Sequence, residues 1–232
     1  MLSYFSADEV NIKDGVGMSY FTVKGYASRE FQEKKSTFIG YVKRVSNEEE
    51  AKAFVNEIKS QHKEATHNVY AYIIGENRGI QRYSDDGEPQ GTAGIPVLEV
   101  IKKSDLTDIA VVVTRYFGGI LLGGGGLIRA YSKGASVAIE EAGIVEKVKG
   151  LKLKIIIDYE LIGKIQYLCG SKGWHIEDTI YTDKVQVELF CESINKENMI
   201  KEFVEACNGK ITISEGDEEY LFKENSRYYQ VL

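Results

Sequence analysis

The chain has 232 residues, 43% of them hydrophobic and 28% charged, with a formal net charge of −6. This length and apolar content predict a buried core in one or two domains. The acidic balance excludes a basic coat that binds nucleic acid over the whole surface, but it is compatible with a local basic patch. No apolar run is as long as a membrane-spanning helix, and residues 1–9 lack the regions of a secretory signal. We therefore expect a cytoplasmic protein without membrane contact.

The first half of the chain predicts an α/β unit. Strands are indicated over residues 18–24, 36–45, 69–74, 80–83 and 109–113. Ser46 and Glu49 form a candidate capping box before a helix. The apolar face of that helix holds Ala51, Phe54, Val55 and Ile58. A second helix is predicted over residues 92–102. Together these elements predict a mixed sheet with helices packed on it, and helices on one face only would leave the other partly free for a partner.

An acidic loop, SDDGEPQGTAGIP, covers residues 84–96 and contains both prolines of the chain. Its carboxylates belong to Asp85, Asp86 and Glu88. One interpretation is a surface turn whose aspartates cap backbone amides, followed by a helix that starts near residues 91–94. The other is that this loop forms one wall of a polar cleft and is held by opposite charges on the facing wall.

A glycine-rich stretch, TRYFGGILLGGGGLIRAYS, covers residues 114–132. It is interpreted as a glycine loop that joins the apolar strand 109–113 to a helix with apolar spacing from Leu127 that Gly143 ends. Its amides lie at a helix N-terminus, which favours an anion, and Arg115 and Arg129 bracket it. The Walker and dinucleotide-binding spacings are both absent. The alternative is that the loop glycines only supply positive φ and close packing. These glycines are Gly118, Gly119, Gly123, Gly124, Gly125 and Gly126.

After Gly143 the pattern restarts. Strands are predicted over residues 149–158, 174–181, 184–191 and 210–214, with helices around residues 161–168 and 200–207. This β-α-β-β-α-β order is the ferredoxin-like pattern, which hosts many functions. The acidic residues 215–219 and the aromatic end at Tyr228 and Tyr229 are interpreted as a strand extension and surface tail. Three widely spaced cysteines, predicted to be reduced core residues, are Cys169, Cys191 and Cys207.

Three blocks in this sequence resemble the signature blocks of the IMPACT family in its bacterial YigZ-like form. They are HNVYAY at residues 67–72, SDDGEPQGTAGIPVL at 84–98 and VVVTRYFGGILLGGGGLIRAYS at 111–132. The resemblance implies an α+β protein with two domains, 1–143 and 144–232. The first is an α/β sandwich similar to the fourth domain of elongation factor G. The second, ferredoxin-like domain is similar to the fifth.

The resemblance also carries functional expectations. Eukaryotic members are linked to regulation of translation through the kinase pathway that responds to amino-acid starvation, a stress response. They carry an additional N-terminal partner-binding domain, for which 232 residues leave no room, so that interaction is not transferred. Many relatives have a lysine where this chain has Leu121 and a small non-glycine residue at Gly124, and losing that lysine removes a charge from the proposed anion site.

Catalytic patterns are weak in this chain. His62 and His67 lack zinc-ligand spacing, His175 lies in the other half, and no serine elbow or cysteine–histidine pair is present. We predict a non-enzymatic regulatory or binding protein, without metal or cofactor, that contacts RNA or the ribosome, or a protein partner. Its predicted binding residues include His67 and Tyr116 besides the three carboxylates, two arginines and six glycines of the loops. The alternatives are a hydrolase of phosphate esters that uses magnesium on those carboxylates, a binder of small phosphate ligands, and a protein-binding adaptor.

Overall fold

Two antiparallel sheets organise the chain. The computed structural model describes residues 19–232, so the first residue of the strand predicted at 18–24 and the signal-peptide prediction for residues 1–9 lie outside the described residues. The first strand, β1, is Tyr20–Val23. The first sheet contains β2 (Ala27–Glu33), β3 (Ser36–Arg44), β4 (His67–Ile74), β5 (Ile80–Ser84) and β6 (Ile109–Tyr116). Its order is β2-β3-β6-β4-β5 and every pairing is antiparallel, so the predicted mixed sheet is wrong.

Helices cover both faces of this sheet. They are α1 (Glu48–Gln61), α2 (Gly94–Lys103) and α3 (Gly124–Ala142). In the central strand β6, Ala110 and Val112 pack with α1, whereas Val111 and Val113 pack with α2 and α3. Burial on both sides explains the uninterrupted apolar run of that strand. No face of this sheet is therefore left free of helices for a partner.

The start of α1 lies one residue after the predicted capping box. Asn47, not Ser46, is the N-cap, and its side chain accepts a hydrogen bond from the Glu50 amide at 2.9 Å. The Glu50 carboxylate accepts one from the Ser46 amide at 2.7 Å. Asparagine and serine are comparable caps, so sequence spacing alone does not decide between neighbouring positions. The predicted apolar face, from Ala51 to Ile58, is buried as expected.

The second sheet follows the predicted element order after residue 143. Its elements are β7 (Ile144–Ile157), α4 (Ile162–Lys172), β8 (Ile176–Tyr181), β9 (Val185–Glu192), α5 (Lys196–Ala206), β10 (Thr212–Glu215), β11 (Glu219–Glu224) and β12 (Arg227–Tyr229). The order β10-β7-β9-β8 places β7 and β9 in the middle, and α4 and α5 pack with them on one core. The three cysteines are free and buried there, and burial raises the pKa of Cys169 and of Cys191 to about 11.

Strand β7 is longer than predicted and connects the two halves. It begins directly after α3 and pairs with β1 and β11 along its first part. Strands β11 and β12 form a hairpin where only a strand extension and tail were predicted. The Tyr20 hydroxyl of β1 donates to Asp108 at 2.6 Å, and Lys147 Nζ of β7 lies 3.8 Å from the same carboxylate. Strand β1 therefore lies before the predicted domain boundary at residue 143 in sequence, but it pairs with β7, which lies after that boundary.

The helices do not have the character of membrane spans. Among residues 19–232, none is both long enough and apolar enough to cross a bilayer.

Candidate ligand-binding site

A cavity of about 370 Å³ lies where the acidic loop, the end of β6 and the start of α3 meet. Its polar lining comes from Thr66, His67, Glu88 and Arg115. Its apolar lining includes Pro89, Phe117, Leu121, Leu122 and Leu127. The fold therefore brings the two predicted loops together around one pocket. That pocket is more apolar than the polar cleft expected from the sequence.

Arg115 and Glu88 form a buried ion pair at the base of the cavity. Arg115 Nη1 lies 2.6 Å from Glu88 Oε1, and their side chains are only 6% and 4% exposed. Arg115 Nη2 donates to Ser36 Oγ at 3.3 Å, whereas Nε is buried with no hydrogen-bond partner in the described part of the chain. The pair joins the acidic loop to β6, as their opposite charges predict. It also means that most of the charge of Arg115 is already compensated within the protein.

Tyr131 completes this buried cluster and was not predicted. Its hydroxyl donates to the same Glu88 Oε1 at 2.7 Å. Burial, followed by this hydrogen bond, raises the pKa of Tyr131 far above its ordinary value. Nearby, the His67 side chain lines the cavity with Nε2 at 3.8 Å from Glu88, and Nδ1 hydrogen-bonds the Asp86 carbonyl at 2.8 Å.

Asp85 caps helix α2 from the preceding loop. One carboxylate oxygen accepts hydrogen bonds from the amides of Ala93 at 3.1 Å and Gly94 at 2.7 Å, and the other accepts from Gly91 at 2.9 Å. The N-cap residue itself, Ala93, has no side-chain cap to offer. The capping interpretation of this loop is therefore confirmed for Asp85.

We expect Asp85→Ala to lower the free energy of unfolding by about 0.5–2 kcal/mol, the usual range for losing a helix cap. Asp85→Asn keeps one carbonyl acceptor for these amides and should recover part of that loss. Urea unfolding followed by circular dichroism measures both. Equal losses in the two variants would show that the negative charge, not the hydrogen bonds, supplies the stabilisation.

The carboxylates of the acidic loop are engaged with other partners. Asp86, which has a φ of 45°, accepts from Lys59 Nζ and from the Asn68 amide, both at 2.6 Å. Asp85 binds amides, and Glu88 binds Arg115. No three histidine, cysteine, aspartate or glutamate side chains within residues 19–232 are arranged to hold a metal ion. This geometry gives no support to the magnesium alternative.

The loop glycines fall into two groups. Gly119 and Gly123 have φ values of 81° and 72°, and a Cβ on Gly118 would lie 1.7 Å from the Lys35 carbonyl oxygen. These three positions require glycine. Helix α3 begins at Gly124, so the next three glycines form its first turn. A Cβ there would meet its nearest neighbour at 3.9 Å on Gly124 and 3.6 Å on Gly125. Packing and backbone conformation therefore leave Gly124 and Gly125 unexplained.

The N-terminus of α3 has no side-chain cap from the described residues 19–232. Its N-cap is Gly123, and no acidic residue lies in its first turn. The first hydrogen bond of the helix runs from the Leu127 amide to the Gly123 carbonyl oxygen. The amides of Gly124, Gly125 and Gly126 therefore have no acceptor within the helix. Arg129 is exposed one turn later, and neither it nor the exposed Lys35 side chain makes an ion pair with another described residue. Lys35 does not line the cavity.

Tyr116 lies away from the cavity. It follows Arg115 in β6, and neighbouring strand residues point to opposite faces. Its hydroxyl hydrogen-bonds His62 Nδ1 at 2.8 Å, and the Tyr41 hydroxyl hydrogen-bonds His62 Nε2 at 2.5 Å. Burial lowers the pKa of His62 and raises that of Tyr41 to about 12.

We expect His62 to make stability depend on pH. Its pKa is lower in the folded chain than the ordinary value of 6.5, so the unfolded chain binds more protons between those two values. Its contribution is fully present above about pH 6.5 and is lost as the pH falls through the folded pKa. Urea unfolding of the natural chain and of His62→Gln, at matched pH values from 7.5 to 5, measures this difference. An identical pH dependence in both proteins would contradict the assignment.

Comparison with known proteins identifies similar sequences across both halves. Residues 34–139 match the family model described as Impact N-terminal domain, and residues 155–210 match Domain of unknown function (DUF1949). The chain is 45% identical over 205 residues to IMPACT family member YvyE of Bacillus subtilis (strain 168), covering 88% of this chain and 94% of that protein. It is 38% identical over 150 residues to IMPACT family member YigZ of Escherichia coli (strain K12), covering 64% and 74%.

More distant similarity reaches eukaryotes and a solved structure. The Protein IMPACT homolog of Dictyostelium discoideum is 43% identical over 103 residues, which cover 43% of this chain and 29% of that protein. A crystal structure described as that of a hypothetical protein has a TM-score of 0.56 and 29% identity, covering 87% of this chain and 98% of the other.

Proposed function

This chain belongs to the IMPACT family, and from that membership and the site geometry we propose that it is a non-enzymatic regulatory protein that contacts RNA or the ribosome in a translation-related role. The contact surface is the rim of the cavity at the start of α3. The translation setting is what the family resemblance implies. The RNA contact rests on the arrangement of charges and amides at this rim.

One observation carries the proposal: within residues 19–232, three glycine amides without a side-chain cap lie beside the Arg129 guanidinium, which has no acidic partner there. The amides of Gly124, Gly125 and Gly126 form the positive end of the helix dipole, which favours phosphate. Arg129 lies one turn along the helix, and its Nη1 is 3.6 Å from a Cβ placed on Gly125. Phosphate recognition of this kind needs only a local patch, so it is compatible with the net charge of −6.

The test is binding of labelled RNA and of purified ribosomes across a salt series. Arg129→Ala should weaken binding and reduce the slope of log affinity against log salt by about one, as expected for one lost phosphate contact. Arg82→Ala is the matched control, since Arg82 is exposed on β5 near Glu48. Absence of binding by the natural chain at low salt, or equal loss in both variants, would reject the proposal.

We also propose a ferredoxin-like fold for the second domain and a domain boundary at residue 143. The order β10-β7-β9-β8 with two helices on one face supports a ferredoxin-like assignment of residues 144–232, and we retain the division at residue 143. Similarity of the two domains to the fourth and fifth domains of elongation factor G, and a cytoplasmic location, remain predictions. Such fold-level similarity raises the expectation of ribosome contact without identifying a site.

A protein-binding adaptor is the second candidate. Four apolar side chains of the loop and α3 are exposed by 39% or more, namely Phe117, Ile120, Leu121 and Ile128. An exposed apolar group of this kind suits a protein interface. The adaptor would retain a protein partner and bind no RNA in the salt series.

A further inference from the structure

We propose that the cavity receives the base of an unpaired nucleotide while the adjacent phosphate binds at the start of α3. This inference rests on the proposed RNA contact and names the kind of RNA that the site selects. It predicts a preference for loops or single strands over a perfect duplex. In a duplex the bases are stacked and are not available to enter a pocket.

The cavity is mainly apolar, whereas the start of α3 offers amides and a cation, and this difference supports a base in the cavity and a phosphate at the helix. The cavity floor contains the Glu88 carboxylate, which is paired with Arg115, so a second anion has no reason to enter. The walls are mainly apolar, with Leu122 and Leu127 buried and Phe117 on the lip. The amides without helical acceptors begin at Gly124, which lines the cavity, and continue at Gly125 and Gly126, which do not line it, and neither does Arg129. A ligand that matches both parts has a flat, largely apolar end and an anionic end.

Phe117 is placed to stack on such a base. The residue is 45% exposed and its amide donates to Thr66 Oγ1 at 3.0 Å, which anchors it in the loop. The Arg115 guanidinium lies 5.4 Å from the ring centroid. Arg115 also lines the cavity, and a guanidinium at this distance from an aromatic ring holds the ring by a cation–π contact. Aromatic stacking with hydrogen bonds to base edges is the usual mode of recognising unpaired bases.

A phosphate bound at the start of α3 would explain why Gly124 and Gly125 are glycines. A side chain on Gly124 or Gly125 is compatible with the protein itself, since a Cβ there has ordinary contacts. It would, however, project at the helix end where a phosphate approaches the amides. Glycine at the first helical positions costs helix stability but keeps that approach open.

The experiment compares three labelled RNAs with the natural chain: a hairpin with an unpaired loop, a blunt duplex with the same number of phosphates, and the hairpin with abasic loop residues. We expect the hairpin to bind at least tenfold more tightly than the other two. Phe117→Ala should lower hairpin affinity by about 5- to 150-fold, the range for losing one base–aromatic stack. Duplex affinity should be unchanged. Tyr167→Ala, which removes a ring 80% exposed on α4, is the control.

The outcomes separate this inference from the proposed function. Equal affinity for hairpin, duplex and abasic RNA, with Arg129→Ala still weakening all three, would overturn the base pocket and leave the phosphate contact in place. Absence of binding to every RNA at low salt would overturn both, and retention of a protein partner would then favour the adaptor. The abasic comparison needs no protein variant, so it decides the question even if Phe117→Ala folds poorly. Circular dichroism checks that folding.

Discussion

Replacing Arg115 with methionine is expected to lower the free energy of unfolding by about 3–5 kcal/mol, the cost of leaving one partner of a buried ion pair alone. Methionine preserves much of the unbranched stem, so the packing change is small. Glu88 would keep its negative charge in a site where its side chain is 4% exposed, and among residues 19–232 only Tyr131 would still donate a hydrogen bond to it. Urea unfolding followed by circular dichroism measures the loss.

A double variant shows whether the loss comes from the stranded charge. Arg115→Met combined with Glu88→Gln removes both charges but keeps a carbonyl acceptor for Tyr131. We expect it to be substantially more stable than the Arg115 single variant, because replacing both members of a buried pair is often nearly neutral. Trp174, the only tryptophan, packs in the second core and reports unfolding there separately. A single-variant loss below about 1 kcal/mol would mean that the pair behaves like an exposed one.

This pair also limits the use of Arg115 in binding experiments. A loss of RNA binding in an Arg115 variant would not distinguish a lost phosphate contact from a rearranged acidic loop. Arg129 is free of that ambiguity, because it is exposed and lies on a helix whose packed face is formed by other residues. The position of Arg115 follows from β6 itself, since a strand buried on both faces leaves its side chains little access to solvent.

The sequence predicts the elements with strong periodicity and misses those without it. The apolar run of β6 and the helical spacing of α3 locate these elements well. Strand β2 has the sequence ASREFQE and lies at a sheet edge, where most of its side chains are exposed and leave no apolar alternation. Strand direction is set by how distant segments pair, so local patterns did not reveal that the first sheet is wholly antiparallel. The same reason applies to β1, which pairs with β7.

The contact between the acidic loop and the glycine-rich loop could be predicted from the charges and composition of the two segments. The acidic and glycine loops meet because Glu88 pairs with Arg115, and their opposite charges gave that signal. Tyr131 belongs to the same cluster although it is 43 positions from Glu88 and was not predicted to contact it. Tyr116 was misplaced because the strand was predicted to end at residue 113, whereas β6 runs to Tyr116 and its alternation places Tyr116 on the face opposite Arg115.

Gly40→Ala is expected to destabilise the chain by about 1–3 kcal/mol or more, because it overpacks the contact between β3 and α3. A Cβ on Gly40 would lie 2.0 Å from the Gly134 carbonyl oxygen, and both residues are buried backbone that has little room to shift. The helix would have to move away from the sheet, and a Cβ on Gly134 would likewise meet Val113 at 2.7 Å. Helix α3 also carries Tyr131 and the uncapped glycines, so its displacement should loosen the candidate site as well.

The matched control for Gly40→Ala is the same substitution where space is open. Gly170 lies exposed in α4 with nothing within 4 Å of an added Cβ, and its φ is not positive. Gly170→Ala should therefore stabilise the chain by about 0.5–1 kcal/mol through helix propensity. Urea unfolding of both variants measures whether the free energy of unfolding falls in Gly40→Ala and rises in Gly170→Ala. If Gly40→Ala proved neutral, the close approach of α3 to β3 would not be required. The glycine-loop amides would then need another explanation for their position beside the cavity.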